Sequence, residues 1–317
     1  MRPHKTKQFF FVLLKLSIVL GAFYFIYLKL AHNNQLSFSS FIAFLNKNAL
    51  FSLKSIVFLL ILTCFNWFFE ILKWQNLIST LKTISFNQAL KQTLGSLTAS
   101  IITPNRIGEY GAKAMYFTPN LRKRVMLVNL IGNLQQMSIT SIFGVIGLFF
   151  FINKYQLETH YFRLLIILVV GLIATGLFIF GLEKYNIKGF SIQKLKTFVQ
   201  HFPKHQLFIG FTLSLARYLI FSFQFYYLFQ IFHIELNYFN SMLGITSMYL
   251  LTSIIPSIFI LDVVVKGSVA VYLFAFLGVN QLVILSIITI MWIFNFVLPS
   301  LIGSYFVLQF KIPKTET

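Results

Sequence analysis

Residues 101–117 read IITPNRIGEYGAKAMYF. They set Pro104, Arg106, Gly108, Glu109, Gly111 and Lys113 inside a chain of 317 residues that is 57% hydrophobic and only 10% charged. A soluble domain carries about 25% charged residues. With a mean hydropathy of +0.79, the chain reads as an all-α polytopic membrane protein, and lipid is its solvent. A Pro there lacks an N–H and disfavours helix in the residue before it, so Pro104 is expected to stop a descending helix. Gly108 and Gly111 are expected to permit tight turning and close backbone approach. Glu109 then falls in the first turn of an ascending helix, where the dipole favours an anion. Lys113 stands four residues later, in the favourable order for a helix pair. A bilayer charge costs at least ~2.5 kcal/mol on insertion scales. The alternative to a functional site is a structural ion pair with Arg106 at the surface.

On either side lie apolar runs at 9–30, 50–72, 125–152, 162–182, 206–232 and 281–310, each long enough for a membrane helix of roughly 20 residues. Two further stretches, 86–117 and 239–278, are apolar but broken, with halves short for a full crossing. Each can enter and leave by one face as a re-entrant hairpin, and crossing by both arms would preserve the same sides. The N-terminus is basic like a signal peptide, but its apolar run is too long for one and is expected to remain as a first span. Residues 36–47 read as an interfacial helix, and a surface helix is expected around Ile192–Val199.

The hairpin at 239–278 contains SIIPSIFILDVVVKGSVAVYLF, residues 253–274. Pro256 is followed six residues later by Asp262, and Lys266 comes four after the acid; Pro104, Glu109 and Lys113 are spaced five and four. The flanking architecture repeats as well. The layout is one membrane domain over 1–317: a first span and interfacial helix at 9–47, a first unit at 50–152, a connecting span and basic linker at 162–205, and a second unit at 206–310. Three crossings separate the unit starts, so the units are expected to be inverted, with broken helices meeting near the midplane.

Charge supports this layout. Of the 26 bases, Lys29, Lys47, Lys54, Lys154 and Arg163 fall on one side, Lys15, Arg106, Lys113, Arg217 and Lys266 lie in spans or motifs, and the remainder share the side of both termini. That side is expected to be cytoplasmic, in a cell inner (plasma) membrane. The formal net charge of +19 therefore reads as topology signal and anionic-lipid contact, not as a nucleic-acid footprint. The single cysteine, Cys64, forms no intrachain disulfide and says nothing of redox compartment.

Other polar residues line up within spans. Asn66, Glu70 and Lys73 share one face; so do Asn129, Asn133 and Gln136, and Arg217 with Gln224. The amides are expected to serve helix–helix bonding at least. Arg217 has no acid one turn away and needs a partner from another helix, or a phosphate. The residues contain no HExxH, P-loop or GxSxG, and Pro203 between His201 and His205 spoils a metal pair. No cofactor or metal is expected.

TPNRIGEYGAKAMYF resembles the TP-x-R-x-GE signature of the lysylphosphatidylglycerol synthase membrane-region family, which includes the flippase half of the bacterial multiple peptide resistance factor. NWFFEILKWQNLI (66–78), with its Lys73-Trp74 pair, and LARYLIFSFQFYYLF (215–229) are similar to other spans of that family. The resemblance covers nearly the whole chain. It implies inverted repeats with re-entrant helices and the handling of anionic or aminoacylated phospholipids, or polyprenyl-linked sugars. It also implies that this chain, without a soluble synthase domain, does not make aminoacyl lipids itself. The second motif departs from the Gly-rich family pattern: SIFILDVVVKGS keeps Asp262 and Lys266 but has Gly267 as its one glycine.

Three functions follow from these residues. In a flippase-like transporter, Arg106, Lys113 and Arg217 hold a phosphate, Glu109 and Asp262 hold an amine or a coupling proton, and Lys266 serves the second half-site. In a membrane transferase on a lipid-linked substrate, one carboxylate is a general base. As a non-transporting partner of a membrane enzyme, the chain gives no flux.

Overall fold

The computed structural model describes residues 52–101, 103, 106–156, 197–254 and 261–313, with isolated positions 13, 17, 20, 24, 186, 187, 190 and 191; of residues 261–266 it describes the backbone alone. Those isolated positions apart, the expected spans at 9–30 and 162–182 and the interfacial helix at 36–47 lie outside these residues, as do Pro104 and Pro256. Residues 197–200 are helical, at the end of the expected linker helix. A two-rung antiparallel hairpin pairs Asn186–Ile187 with Phe190–Ser191, which the sequence reading did not foresee.

The described chain is helical. In order come α1 (Leu53–Ile78), α2 (Phe86–Ser100), α3 (Gly108–Met115), α4 (Pro119–Lys154), α5 (Lys204–Ile231), α6 (Tyr238–Ile254), α7 (Leu261–Ala275), α8 (Gln281–Trp292), a π-helical turn (Ile293–Val297) and α9 (Leu298–Gln309). Local chemistry sets the starts. The Ser52 hydroxyl accepts from the backbone of Ser55 at α1. Ser85 and Gln88 form a capping box at α2. Pro119 opens α4, where its missing N–H costs nothing. Among the described residues four helices are long and apolar enough to cross a membrane: α1, α4, α5 and the continuous run from α8 through α9. Their outer faces carry side chains such as Ile61, Phe65, Ile146 and Phe150, exposed to lipid. The chain is a multi-pass membrane protein.

Side-chain contacts fix the directions. α1 and α5 run antiparallel along each other: Asn76 donates to Gln206 O at 2.8 Å near one end, and Phe58 meets Tyr227 near the other. The hairpin α2–α3 begins and finishes beside the first of these ends. There the Tyr116 hydroxyl, just past α3, donates to Lys91 O on α2, and its ring packs on Phe310. The hairpin α6–α7 begins and finishes at the opposite end, where Lys154 bonds Asn240 and Gly244 backs onto Phe274. The most extensive helix pairs are α1 with α5, α4 with α6, and α2 with α9. Exchanging the two halves exchanges the last two pairs and leaves the first unchanged.

Two apolar clusters cap the bundle. One gathers Trp74, Ile78, Phe117 and Val125. The other gathers Phe225, Phe229, Phe274 and Ile284. A buried polar seam lies between them.

Candidate functional site

The seam is built on α1. Asn66, Glu70, Lys73 and Trp74 face inward together, each 7% exposed or less, because three- and four-residue spacings stay on one helix face. Glu70 is gripped twice through one oxygen: Lys73 Nζ lies 2.7 Å away and Arg217 Nη1, from α5, also 2.7 Å. Arg217 thus finds its acid on another helix. Its Nε donates to Asn66 Oδ1 at 3.0 Å, and its guanidinium lies 5.8 Å from the Trp67 ring centre.

The motif at 101–117 makes a second grip of the same kind. Glu109 sits in the first turn of α3, with Lys113 Nζ 2.8 Å from one oxygen and Arg106 Nη2 2.6 Å from the other. Lys113 also donates to Asn129 Oδ1 on α4 at 2.8 Å, and its ammonium rests 4.3 Å above the Trp74 ring. Trp74 is itself aimed by a 2.8 Å bond from its indole N–H to Gln92 Oε1. Trp74, on which Lys113 rests, follows Lys73 directly on α1, so the two grips adjoin and form one charged cluster. Among the described residues the cluster holds four bases and two acids, a formal surplus of two positive charges. Lys73 and Lys113 have side chains 3% and 2% exposed, whereas Arg106 and Arg217 are 37% and 21% exposed. The arginines are therefore the cations that an incoming group can reach.

The turn before α3 is made differently from expectation. α2 ends at Ser100, four residues ahead of Pro104. The left-handed residue is Arg106, with φ of 59°, and not a glycine; such a backbone costs about 1–3 kcal/mol in a bulky residue. Gly108 does serve close approach, since a Cβ there would collide with Thr103 and the Ser100 backbone. Gly111 does not: a Cβ there meets nothing within 4 Å. In the second motif, Asp262 and Lys266 lie one turn apart on α7, as Glu109 and Lys113 do on α3. Their side chains, and the hinge at Pro256, lie outside the described residues.

The amides divide by partner. Asn129 serves Lys113, and Asn133 donates to the Tyr110 hydroxyl at 2.9 Å. Gln224 donates to Thr63 Oγ1 at 3.0 Å and accepts from Asn295 Nδ2 at 2.7 Å. Asn295 also accepts from Asn66 Nδ2 at 2.9 Å, and its backbone carbonyl accepts from the Trp67 indole. It stands in the π-helical turn, which widens the last span and lets this carbonyl accept from outside the helix. Sequence reasoning passed over Asn295. The available signal was an asparagine flanked by phenylalanines in an otherwise apolar run, four residues before Pro299.

Gln136 faces a cavity of about 260 Å³ between α1, α4, α5 and α6, lined also by Asn66, Arg217, Tyr218, Thr252 and Ser253. Arg217 stands where this cavity meets the charged cluster. Among the described residues no group of His, Cys, Asp and Glu could hold a metal ion.

No curated protein and no solved structure matches the chain. The family model described as "Lysylphosphatidylglycerol synthase TM region" matches residues 12–303, taking in the double grip, the cavity and both hairpins; the chain belongs to that family, and is a membrane protein linked to lipid handling.

Proposed function

We propose that the protein binds the phosphate of a membrane lipid at the charged cluster and carries the headgroup between leaflets while the acyl chains stay in the bilayer. The surplus of two positive charges in the seam carries this reading. Uncompensated charge inside a membrane is costly and tends to line a substrate path. An anionic headgroup reaching Arg217 and Arg106 offsets that surplus without disturbing the Glu70 and Glu109 grips. The exchange of helix pairs between halves supports an inverted repeat, in which alternating access follows from rocking one half against the other. The ends of α1, α2, α4, α5 and α9 carry Lys82, Lys91, Arg122, Lys123, Arg124 and Lys204, against Lys54 and Lys154 among the described residues at the other end, which favours the first end for the cytoplasmic face of an inner membrane.

The test is reconstitution in liposomes with fluorescent phospholipids followed from one leaflet to the other. Wild type is expected to move an anionic lipid. Glu109→Gln and Asp262→Asn, confirmed folded, are each expected to slow it at least about tenfold, about 1.4 kcal/mol. Absence of flux from folded wild-type protein with any lipid removes the transport reading.

A further inference from the structure

Both reachable arginines lean on the same short piece of backbone. Asn295 and Phe296 are consecutive residues of the π-helical turn, and successive residues of a helix point about 100° apart. Asn295 therefore serves α1 and α5 while Phe296 serves the motif at 101–117. Asn295 reaches Arg217 by two routes. Its side chain accepts from Asn66 Nδ2 at 2.9 Å, and Asn66 Oδ1 accepts from Arg217 Nε at 3.0 Å. Its backbone carbonyl accepts from the Trp67 indole at 3.2 Å, and the Arg217 guanidinium lies over that ring. Phe296 reaches Arg106: the guanidinium lies 5.9 Å from the centre of its ring. Phe296 also packs on Ile101, just past α2, and stacks on Trp292.

The sequence builds this turn. In a regular α-helix the carbonyl of residue 295 accepts from the N–H of residue 299, and residue 299 is a proline. Pro299 has no N–H, and its ring crowds that carbonyl. The helix widens into a π turn there, and the Trp67 indole supplies a donor. The amides beside it are locked in one direction. Arg217 can only donate and the Leu59 carbonyl can only accept. Between them Asn66 donates to Asn295, Asn295 to Gln224 at 2.7 Å, and Gln224 to Leu59 O at 3.3 Å. Turning any one amide over breaks the row at two places.

We infer that Asn295 and Phe296 are positioning residues for Arg217 and Arg106, and that the turn made by Pro299 ties the movements of the two arginines together. A group that draws one guanidinium forward shifts the turn, and the turn shifts the other guanidinium. The role rests on the reading above that these arginines receive a headgroup phosphate.

The test uses the full-length protein in detergent, isotope-labelled at its three tryptophans, with the indole N–H signals read by NMR and assigned through Trp67→Phe and Trp292→Phe. Arg106→Gln is expected to move the Trp67 signal, although Trp67 lies against the other arginine. Phe296→Leu, which removes the ring beneath Arg106 and alters no charge, is expected to abolish that shift; Phe296→Tyr, which keeps the ring, is expected to retain it. Pro299→Ala gives the Asn295 carbonyl back its helical donor and is expected to move the Trp67 signal upfield. In liposomes Phe296→Leu is expected to slow lipid flux about two- to thirtyfold, the range of a coupling residue, and Phe296→Tyr to keep it. A Trp67 signal unmoved by Arg106→Gln, or one that still moves in the Phe296→Leu background, overturns the tie through the turn, because the charges alone would then carry the coupling. A Trp67 signal unmoved by Pro299→Ala overturns the part given to the proline. Wild-type flux that Phe296→Leu leaves unchanged overturns the positioning role. The expected signals from a protein that moves no lipid overturn transport and leave the tie between the arginines standing.

Discussion

At the residue scale, each carboxylate in the seam is a hub and each base a spoke. Glu70 serves Lys73 and Arg217; Glu109 serves Lys113 and Arg106. Removing a spoke leaves the acid with one partner, while removing a hub strands two cations. Breaking a buried ion pair costs about 3–5 kcal/mol, chiefly through the charge left behind. Glu70→Gln is therefore expected to destabilise the protein by about that much, and Arg217→Gln by roughly half, because Glu70 keeps Lys73. Unfolding of purified protein by detergent titration gives the order, and a larger loss for Arg217→Gln would show that the acid is not the hub. Part of this arrangement was legible in the sequence. The spacing of Glu109 and Lys113 is a helix pair wherever it occurs, and Asn66, Glu70 and Lys73 share a face by periodicity alone. The pairing of Arg217 with Glu70, 147 positions apart, is tertiary, and nothing local marks it. Asn295 stayed hidden because a single amide hardly changes the hydropathy of an apolar span.

At the element scale, the hairpins were legible from their short apolar arms, but the turn between the arms was not. Proline and glycine suggested where the chain bends; the structure ends α2 before Pro104 and puts the left-handed backbone at Arg106, where the guanidinium then reaches Glu109. A favourable ion pair can offset a backbone cost that glycine would have avoided. The glycines that matter for packing lie elsewhere. A Cβ at Gly303 on α9 would meet the Leu94 carbonyl and the Thr98 hydroxyl of α2, and a Cβ at Gly147 on α4 would meet Thr246 of α6. These are the same two helix pairs that exchange when the halves exchange, and small residues allow helices in lipid to approach closely. Gly303→Leu is accordingly expected to lower stability by about 1–3 kcal/mol or more, since backbone cannot yield as a side chain can. Gly111→Ala, with open space and a helical backbone, is expected to be neutral or to stabilise by up to about 1 kcal/mol. Thermal unfolding of the two variants beside wild type separates these outcomes, and equal losses would mean that helix contact is not what distinguishes the two sites.

For the whole molecule, the question is which end faces which side of the membrane. Hydropathy gives spans, and the distribution of lysine and arginine gives sides; neither says that a hairpin returns to its starting face. Contacts between hairpin ends and neighbouring helices supply that. Tyr116 beside Lys91 and Phe310 brings the first hairpin back to one end, and Asn240 beside Lys154 keeps the start of the second at the other. Hairpins entering from opposite ends are what the proposed alternating access requires. The arrangement is testable without any transport assay. Cys64, the chain's one cysteine, is exposed on α1, so Cys64→Ser gives a silent background. Lys82, in the loop between α1 and α2, and Glu235, in the loop between α5 and α6, are both exposed and belong to opposite ends. With a membrane-impermeant maleimide on intact cells stripped of any outer envelope, Glu235→Cys is expected to label directly. Lys82→Cys is expected to label only after the membrane is opened, because the positive-inside rule favours the cytoplasmic side for the basic end. Labelling of both from one side would place the two hairpin mouths on the same face, and a bundle of that kind could bind a headgroup but could not pass it across.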